Sequence, residues 1–167
     1  MKRLAFSILL MASLPAFGQN MMRDALQQMP DSVIPYLSHS NRLDLLDYFD
    51  AKMKAEVTNE LGGKSELLAL TNDSLSIRLN MQHRIDAIFI DTEEPVDSAM
   101  RVIALGHTYY LTSGEYERKY DLFSLRWQPV EKAPKMSDLQ RHRLSLFQGS
   151  TLLKRDDKVV LQYPAIQ

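Results

Sequence analysis

The sequence predicts an α+β fold, in which N-terminal helices pack on an antiparallel β-meander of five or more strands. Two observations lead to this prediction. Apolar residues recur at helical spacing before Gly62, and after Gly63 they alternate with polar residues. The alternating segments are joined by short connections, and short connections favour antiparallel neighbours. Helices followed by a run of strands are typical of the α+β class.

The N-terminus has the pattern of a secretory signal peptide. Two basic residues precede an apolar run over residues 4–14, and the small residues Ala16 and Gly18 occupy the −3 and −1 positions of a cleavage site. The apolar run is too short to span a bilayer of about 30 Å. We therefore expect a signal peptide at residues 1–18 and a single α+β domain at residues 19–167.

The composition narrows the class of protein. The chain has 20 basic and 21 acidic residues, a balance that excludes the strongly basic surface of a nucleic-acid binder. It has no cysteine, which excludes disulfides, thiolate metal sites and cysteine nucleophiles. Small secreted eukaryotic domains usually rely on disulfides, so an exported chain without cysteine fits a bacterium better. We expect a periplasmic or secreted protein without a lipid anchor and, after cleavage, without a transmembrane segment.

Two helices are predicted before the sheet. The first covers residues 19–29 and ends before Pro30. Asn41 is the predicted N-cap of the second helix, whose apolar residues fall at helical spacing: Leu43, Leu46, Phe49 and Met53. If this helix continues, Val57 and Leu61 extend the same stripe as far as the two glycines at 62 and 63. The poor helix propensity of residues 57–59 leaves the longer form open.

Five strands are predicted after the helices, at residues 66–71, 74–81, 84–90, 100–111 and 115–127. In the second of them, apolar residues alternate with polar ones, which indicates one buried face. The fourth is apolar on both faces over residues 102–105 and should be central. After a break at residues 129–134, residues 137–143 are a helical turn or a loop. Two shorter strands are predicted at residues 144–148 and 158–163.

Several stretches of the chain carry a resemblance to a known family. Met29-Pro30-Asp31-Ser32 and Asn41-Arg42-Leu43-Asp44 resemble the opening of an uncharacterised family of small exported proteins from Gram-negative anaerobic bacteria, known as a domain of unknown function. The resemblance continues through residues 53–59, 61–65 and 70–76. It is specific over residues 29–80 and weaker beyond them. It implies an exported protein of similar fold and no particular activity.

Two motifs resemble ligand-binding loops but lack required residues. Gly62-Gly63-Lys64-Ser65 resembles the end of a P-loop, yet Thr58 stands where the first glycine is needed. We interpret these glycines as a helix stop and a chain reversal. A second loop offers four carboxylates but lacks the glycine and the ligand spacing of an EF-hand: Asp91, Glu93, Glu94 and Asp97. A weak calcium site and an exposed acidic connection both stay open here, and the connection is the simpler interpretation.

No catalytic, metal or cofactor site is predicted. The four histidines, at positions 39, 83, 107 and 142, form no HExxH pair, and the serines stand in no GxSxG or SxxK signature. His83, Asp86 and His107 lie on predicted neighbouring strands, where they can approach one another. The alternative to a binding protein is therefore an envelope hydrolase whose site is assembled from scattered Asp and His residues.

Tyrosines flank the turn at Ser113-Gly114 and form the candidate binding surface. Alternation along the fifth strand places Tyr116, Arg118 and Tyr120 on one face. Tyrosine and arginine are enriched in interaction surfaces, although ordinary cross-strand pairs are the common alternative. The prediction is an exported, non-catalytic binding or interaction module for an envelope protein or glycan. A structural envelope component is a further alternative.

Overall fold

The computed structural model describes residues 21–149 as three helices and one six-stranded sheet. The predicted signal peptide at residues 1–18 and the predicted strand at residues 158–163 lie outside the described residues. The elements follow in the order α1 (Met21–Gln28), α2 (His39–Asp50), β1 (Glu56–Thr58), β2 (Lys64–Leu70), β3 (Ser74–Arg78), β4 (His83–Val96), β5 (Ala99–Tyr110), β6 (Tyr116–Phe123) and α3 (Asp138–Gly149). None of the helices within residues 21–149 is long and apolar enough to cross a membrane.

The sheet is an antiparallel meander in which each strand pairs with its neighbour in sequence, in the order β1-β2-β3-β4-β5-β6. The predicted α+β class and the meander are therefore confirmed. The longest pairing joins β4 and β5, where Ala87 lies opposite Leu105 and Phe89 lies opposite Ile103. These two strands are buried on both faces, as expected from the apolar run at residues 102–105.

The two faces of the sheet carry separate cores. The α1–α2 face, defined as the face covered by α1 and α2, buries odd-numbered residues of β3, β4 and β5 against both helices: Leu75, Ile77, Ile85, Ala87, Phe89, Ile103 and Leu105. The α3 face, covered by α3, buries even-numbered residues: Ile88, Ile90, Val102, Ala104 and Leu122, with Met136, Leu144 and Phe147. Because side chains alternate along a strand, the sequence position of a residue decides which core it joins.

Polar contacts fix the N-terminal helices to the rest of the chain. The Trp127 indole N–H donates a hydrogen bond of 2.9 Å to the Ala25 carbonyl on α1. Arg42 on α2 is buried and donates to the Leu37 carbonyl at 2.6 Å and to the Asp31 carboxylate at 2.9 Å. Buried polar groups need such partners, so these bonds determine how the connection between α1 and α2 is folded.

The second helix begins earlier and ends earlier than the sequence predicted. Ser38, not Asn41, is the N-cap, and its hydroxyl accepts from the Asn41 N–H at 3.4 Å. The helix stops at Asp50, because Lys52 adopts a left-handed conformation with φ 56°. Val57 consequently belongs to strand β1, and the longer form of the helix was wrong.

Two further predictions are corrected by the fold. Gly62, with φ 76°, reverses the chain between β1 and β2, so the predicted reversal is confirmed and the predicted helix stop was wrong. Residues 144–148 were predicted to be a strand but belong to α3. Leu144 and Phe147 are three residues apart, which places both on the helix side that packs against the sheet.

Candidate functional site

The predicted binding residues Tyr116, Arg118 and Tyr120 lie side by side on the α3 face of β6. The two tyrosines are exposed to 39% and 43%. The Arg118 side chain, by contrast, is only 5% exposed. The accessible part of this site therefore consists of the two tyrosines, and the arginine lies beneath the surface between them.

Arg118 is held by contacts on the α3 face. Its guanidinium lies 3.5 Å from the Asp86 carboxylate and stacks 4.7 Å from the centre of the Phe147 ring. Gly106 on β5 leaves the space for both groups, because a Cβ at this position would lie 3.0 Å from each of them. Arg84 also donates to Asp86, at 3.0 Å, so the fully buried carboxylate has two cationic neighbours. Arg118 thus positions the strand that carries the tyrosines.

In the described part of the chain, no strand pairs with the outer edge of β6 where the two tyrosines lie. Within residues 21–149, no backbone group pairs with this edge between Tyr116 and Asp121. Further along, the edge is closed by the returning chain, since the Val130 N–H donates to the Leu122 carbonyl at 2.8 Å. A groove of about 540 Å³ lies at this junction, lined by Tyr120, Asp121, Leu122, Phe123, Pro129, Val130, Glu131 and Ala133. An exposed strand edge beside a groove is a site to which another extended segment can add.

A second polar cluster lies on the α1–α2 face, near the start of β4. The rings of His83 and His107 meet with Nε2 and Nδ1 3.0 Å apart. The Tyr36 hydroxyl is hydrogen-bonded to the other nitrogen of His83, and the Tyr109 ring stacks on His83 with 4.3 Å between centroids. The two histidines therefore approach each other as expected, but Asp86 points to the opposite face and takes no part.

Burial controls the ionisation of this cluster. Burial, assisted by the neighbouring His107, lowers the pKa of His83 to about 4. Burial also lowers the pKa of His107, against the opposing effect of Asp121. Burial raises the pKa of Tyr36 to about 12, and Tyr109 acts in the same direction. At neutral pH the imidazoles are uncharged and the phenol keeps its proton, so Tyr36 can donate to His83 and His83 to His107.

Tyr36 could not be anticipated from the sequence, because it belongs to the connection before α2 and reaches His83 from 47 residues away. The cluster supplies only two metal-ligating side chains. No group of three or more such residues suited to a metal ion occurs in the part of the chain that the structure describes.

The acidic loop and the glycine motif are used in structural contacts. Each of the four carboxylates has a basic or backbone partner: Asp91 with Arg101 at 2.6 Å, Glu93 with Lys135 at 3.3 Å, Asp97 with Arg126 at 3.5 Å, and Glu94 with the Lys135 N–H at 3.2 Å. In the glycine motif, the Ser65 hydroxyl is buried and donates to the Leu79 carbonyl at 2.8 Å. A P-loop serine lies between a strand and a helix, whereas Ser65 lies inside strand β2.

Comparison with known proteins gives a family match and a likeness to solved structures. A family model described as a protein of unknown function (DUF3256) matches residues 16–157. One similar solved structure is a domain of an uncharacterised protein from Porphyromonas gingivalis W83, an anaerobic Gram-negative bacterium. It is 19% identical with a TM-score of 0.53, and the match covers 67% of this chain and 54% of that one, about half its length. At this identity the likeness shows the fold alone. No curated protein matches the chain.

Proposed function

Because the chain belongs to the DUF3256 family, whose description assigns no activity, we propose its function from its own geometry: an exported, non-catalytic binding module. The single observation that supports this proposal is the pair of exposed tyrosines, Tyr116 and Tyr120, beside an edge of β6 with which no strand within residues 21–149 pairs. Tyrosine supplies a large contact area with a polar tip and loses little conformational entropy on binding. The surface therefore has the chemistry of an interaction site.

The proposed partner is an extended segment of another envelope protein. Such a segment would pair with the backbone of β6 as an additional strand and place alternate side chains against the tyrosines. Tyr116 and Tyr120 are separated by about 13 Å along the strand, so a partner segment of about five residues would contact both. The groove at the closed end of the edge would receive the residues beyond Tyr120.

A pull-down from envelope extract tests this surface. The double variant Tyr116→Ala/Tyr120→Ala should lose partners that the unmodified domain retains. Tyr48→Ala is the matched control, because Tyr48 is 37% exposed but lies on α2, away from β6. Arg118 is left unchanged, since removing it would disturb the buried Asp86. If the double variant retains the same partners as the control, the β6 surface is not the binding site.

Export belongs to the same proposal and has its own test. The basic residues, the apolar run and the small residues at 16 and 18 support cleavage after Gly18. Expression of the full chain in a Gram-negative host, followed by fractionation and N-terminal sequencing, should give a periplasmic or secreted product that begins at Gln19. A cytoplasmic product that retains Met1 would contradict export.

The alternative is an envelope hydrolase, and the contact between His83 and His107 is the observation in its favour. An uncharged imidazole pair can transfer protons. However, Asp86 lies on the other face of the sheet, and the Nδ1 atom of His83 is hydrogen-bonded to the Tyr36 hydroxyl. Hydrolysis of model esters and envelope glycans that is lost in His107→Gln would favour the hydrolase over the binding module. A structural envelope component remains the third proposal, and it predicts no specific partner at β6.

A further inference from the structure

The even-numbered residues of β6 direct their backbone polar groups toward its outer edge. The Leu111 N–H donates to the Glu115 carbonyl at 2.8 Å, so the backbone groups of Glu115 face β5. This direction alternates along a strand, so the backbone groups of residues 116, 118 and 120 face away from β5. The Leu122 carbonyl also faces outward, but the Val130 N–H donates to it and closes the edge there. A further strand can therefore pair with residues 116–120, and Arg118 is the centre of this stretch.

The side chains of this stretch complement a second copy of it. The order is Tyr116-Glu117-Arg118-Lys119-Tyr120, so positions at equal distances from Arg118 hold either two tyrosines or a glutamate and a lysine. When two copies run antiparallel about Arg118, Glu117 of each copy lies opposite Lys119 of the other. Tyr116 of each copy lies opposite Tyr120 of the other. Aromatic pairs and opposite charges stabilise such cross-strand positions.

The charges also exclude the neighbouring registers. A centre moved to residue 117 places Glu117 opposite Glu117, and a centre moved to residue 119 places Lys119 opposite Lys119. Like charges directly opposite each other destabilise a strand pair. The register centred on Arg118 is therefore the favoured one among these three.

The complementarity points to the partner: we propose that the outer edge of β6 binds a second copy of the same chain, as an antiparallel β6–β6 pair with a two-fold axis at Arg118. The backbone of Arg118 would exchange both N–H···O=C bonds with Arg118 of the second copy, and Tyr116 would do so with Tyr120 on each side. A two-fold interface uses the same surface on both subunits, which is what a self-complementary stretch provides.

The charged side chains that would meet are accessible. The Glu117 side chain is 58% exposed and the Lys119 side chain is 69% exposed, and they form an ion pair of 3.2 Å within the strand. Opposite one another in the dimer, they would occupy non-hydrogen-bonded positions, where facing side chains approach most closely. Each glutamate would then have a lysine neighbour on its own chain and one on the second copy.

The same register brings two pairs of like charges opposite each other, and the structure limits the cost of both. The Arg118 guanidinium lies 3.5 Å from the Asp86 carboxylate and beside Gly106, so it is directed toward β5 and away from Arg118 of the second copy. Asp121 would lie opposite Glu115 of the second copy. Both of these residues are exposed, so solvent and salt screen their repulsion.

The inference rests on the proposed function, because it uses the same edge, and it adds a form of regulation. A second copy would cover the backbone groups that a segment of another envelope protein needs, so dimer formation and partner binding should exclude each other. An exposed edge strand is a template for association with further chains. Pairing of two such edges about a two-fold axis closes both of them and limits the association to a dimer.

Charge reversal tests the inference, with sedimentation equilibrium of the mature protein, residues 19–167, as the measurement. The unmodified protein should show a concentration-dependent equilibrium between monomer and dimer. Glu117→Lys places lysines opposite each other and Lys119→Glu places glutamates opposite each other, so each variant should raise the dimer dissociation constant about tenfold or more. Glu60→Lys is the matched control, because Glu60 is exposed but lies between β1 and β2, and it should dimerise like the unmodified protein.

Mixing the two variants separates a register effect from a loss of structure. An equimolar mixture of Glu117→Lys and Lys119→Glu should form a heterodimer with one copy of each, because every lysine again lies opposite a glutamate. The double variant Glu117→Lys/Lys119→Glu should recover the homodimer for the same reason. Partial unfolding of either variant could not produce these recoveries.

The inference is overturned if the unmodified protein stays monomeric up to about 1 mM, if the single reversals dimerise as well as Glu60→Lys, or if the mixture forms no heterodimer. A monomeric protein that loses an envelope partner in Tyr116→Ala/Tyr120→Ala would overturn the inference and leave the proposed function in place. A dimer that shows the expected recoveries, with every envelope partner retained in the double tyrosine variant, would support the inference and count against the proposed function.

Discussion

Acidification from about pH 7 to about pH 4.5 should destabilise the fold through the His83–His107 pair. The folded state favours the uncharged imidazole of His83, because burial lowers its pKa from 6.5 to about 4. The unfolded chain, with an ordinary histidine pKa, binds more protons in this range. Stability from this group is therefore fully present above about pH 6.5 and is lost as the pH falls toward 4.

The pKa difference sets an upper limit on the loss. A change from 6.5 to about 4 corresponds to about 3.4 kcal/mol if it acts in full. The His83 ring is only half-buried, so solvent screens part of this free energy, and we expect a loss of stability of about 1–2 kcal/mol. His107 acts in the same direction, while the nearby carboxylate of Asp121 opposes the effect at His107. Tyr36, whose pKa burial raises to about 12, stays uncharged throughout and adds no pH dependence.

Urea unfolding followed by Trp127 fluorescence measures the effect, since Trp127 is the only tryptophan and is buried. The free energy of unfolding should fall between pH 6.5 and 4.5 by about 1–2 kcal/mol more in the unmodified domain than in His83→Gln. Burial acts to raise the pKa of Asp73, but hydrogen bonds from Arg143 and Thr71 outweigh it and lower the pKa. Such carboxylates are present in both proteins, so their contributions to the pH dependence cancel in the comparison. His142→Gln, at an exposed position on α3, should retain the unmodified pH profile. Equal pH profiles for His83→Gln and the unmodified domain would refute the reasoning.

Two substitutions test the packing described above. Gly106→Ala should lower the free energy of unfolding by about 1–3 kcal/mol, because the new Cβ would lie 3.0 Å from the Phe147 ring; an unchanged urea midpoint would mean that α3 shifts freely. Arg42→Leu should cost about 2–4 kcal/mol, because backbone carbonyls would lose their buried donor. The control Arg23→Leu removes only a partly exposed ion pair with Asp50 and should cost less than about 1 kcal/mol. Equal losses for the two arginine variants would contradict the role assigned to Arg42.

The strands could be predicted from the sequence because alternation is a local signal. The doubly apolar run of β5 corresponds to two buried faces, as predicted. The alternation in β3 correctly identified its apolar face, but Ser76 on the other face is also buried, so the prediction of a single buried face was wrong for this strand. Strand β1 was missed, because Val57 and Leu61 also fit a helical stripe. The end of α2 depends on the left-handed conformation of Lys52, which a non-glycine residue rarely adopts and which no sequence pattern indicates.

The segment at 144–148 shows the limit of short apolar runs. A five-residue segment with three apolar side chains fits a strand and one turn of a helix equally well. The α3 face of the sheet decides between them, because Leu144 and Phe147 can both pack there only from a helix. That choice depends on residues distant in sequence.

For the candidate site, the sequence predicted only which side chains share a face of the strand. Alternation correctly placed Tyr116, Arg118 and Tyr120 on one face, but exposure depends on other strands. Arg118 is buried because Asp86 and Phe147 lie beside it, and neither contact has a local signal. Tyr36, which is hydrogen-bonded to His83, is similarly distant from it in sequence.

The contact between Trp127 and Ala25 has a consequence for how the chain folds. Each pairing in the meander joins consecutive strands, so the sheet can form hairpin by hairpin, with short loops to close and a modest entropic cost. The indole–carbonyl bond instead joins residues 102 positions apart. Closing this long loop costs little conformational entropy only after the sheet has formed and has brought residues 25 and 127 close together. The N-terminal helix α1 is thus secured to Trp127 only after the sheet has formed.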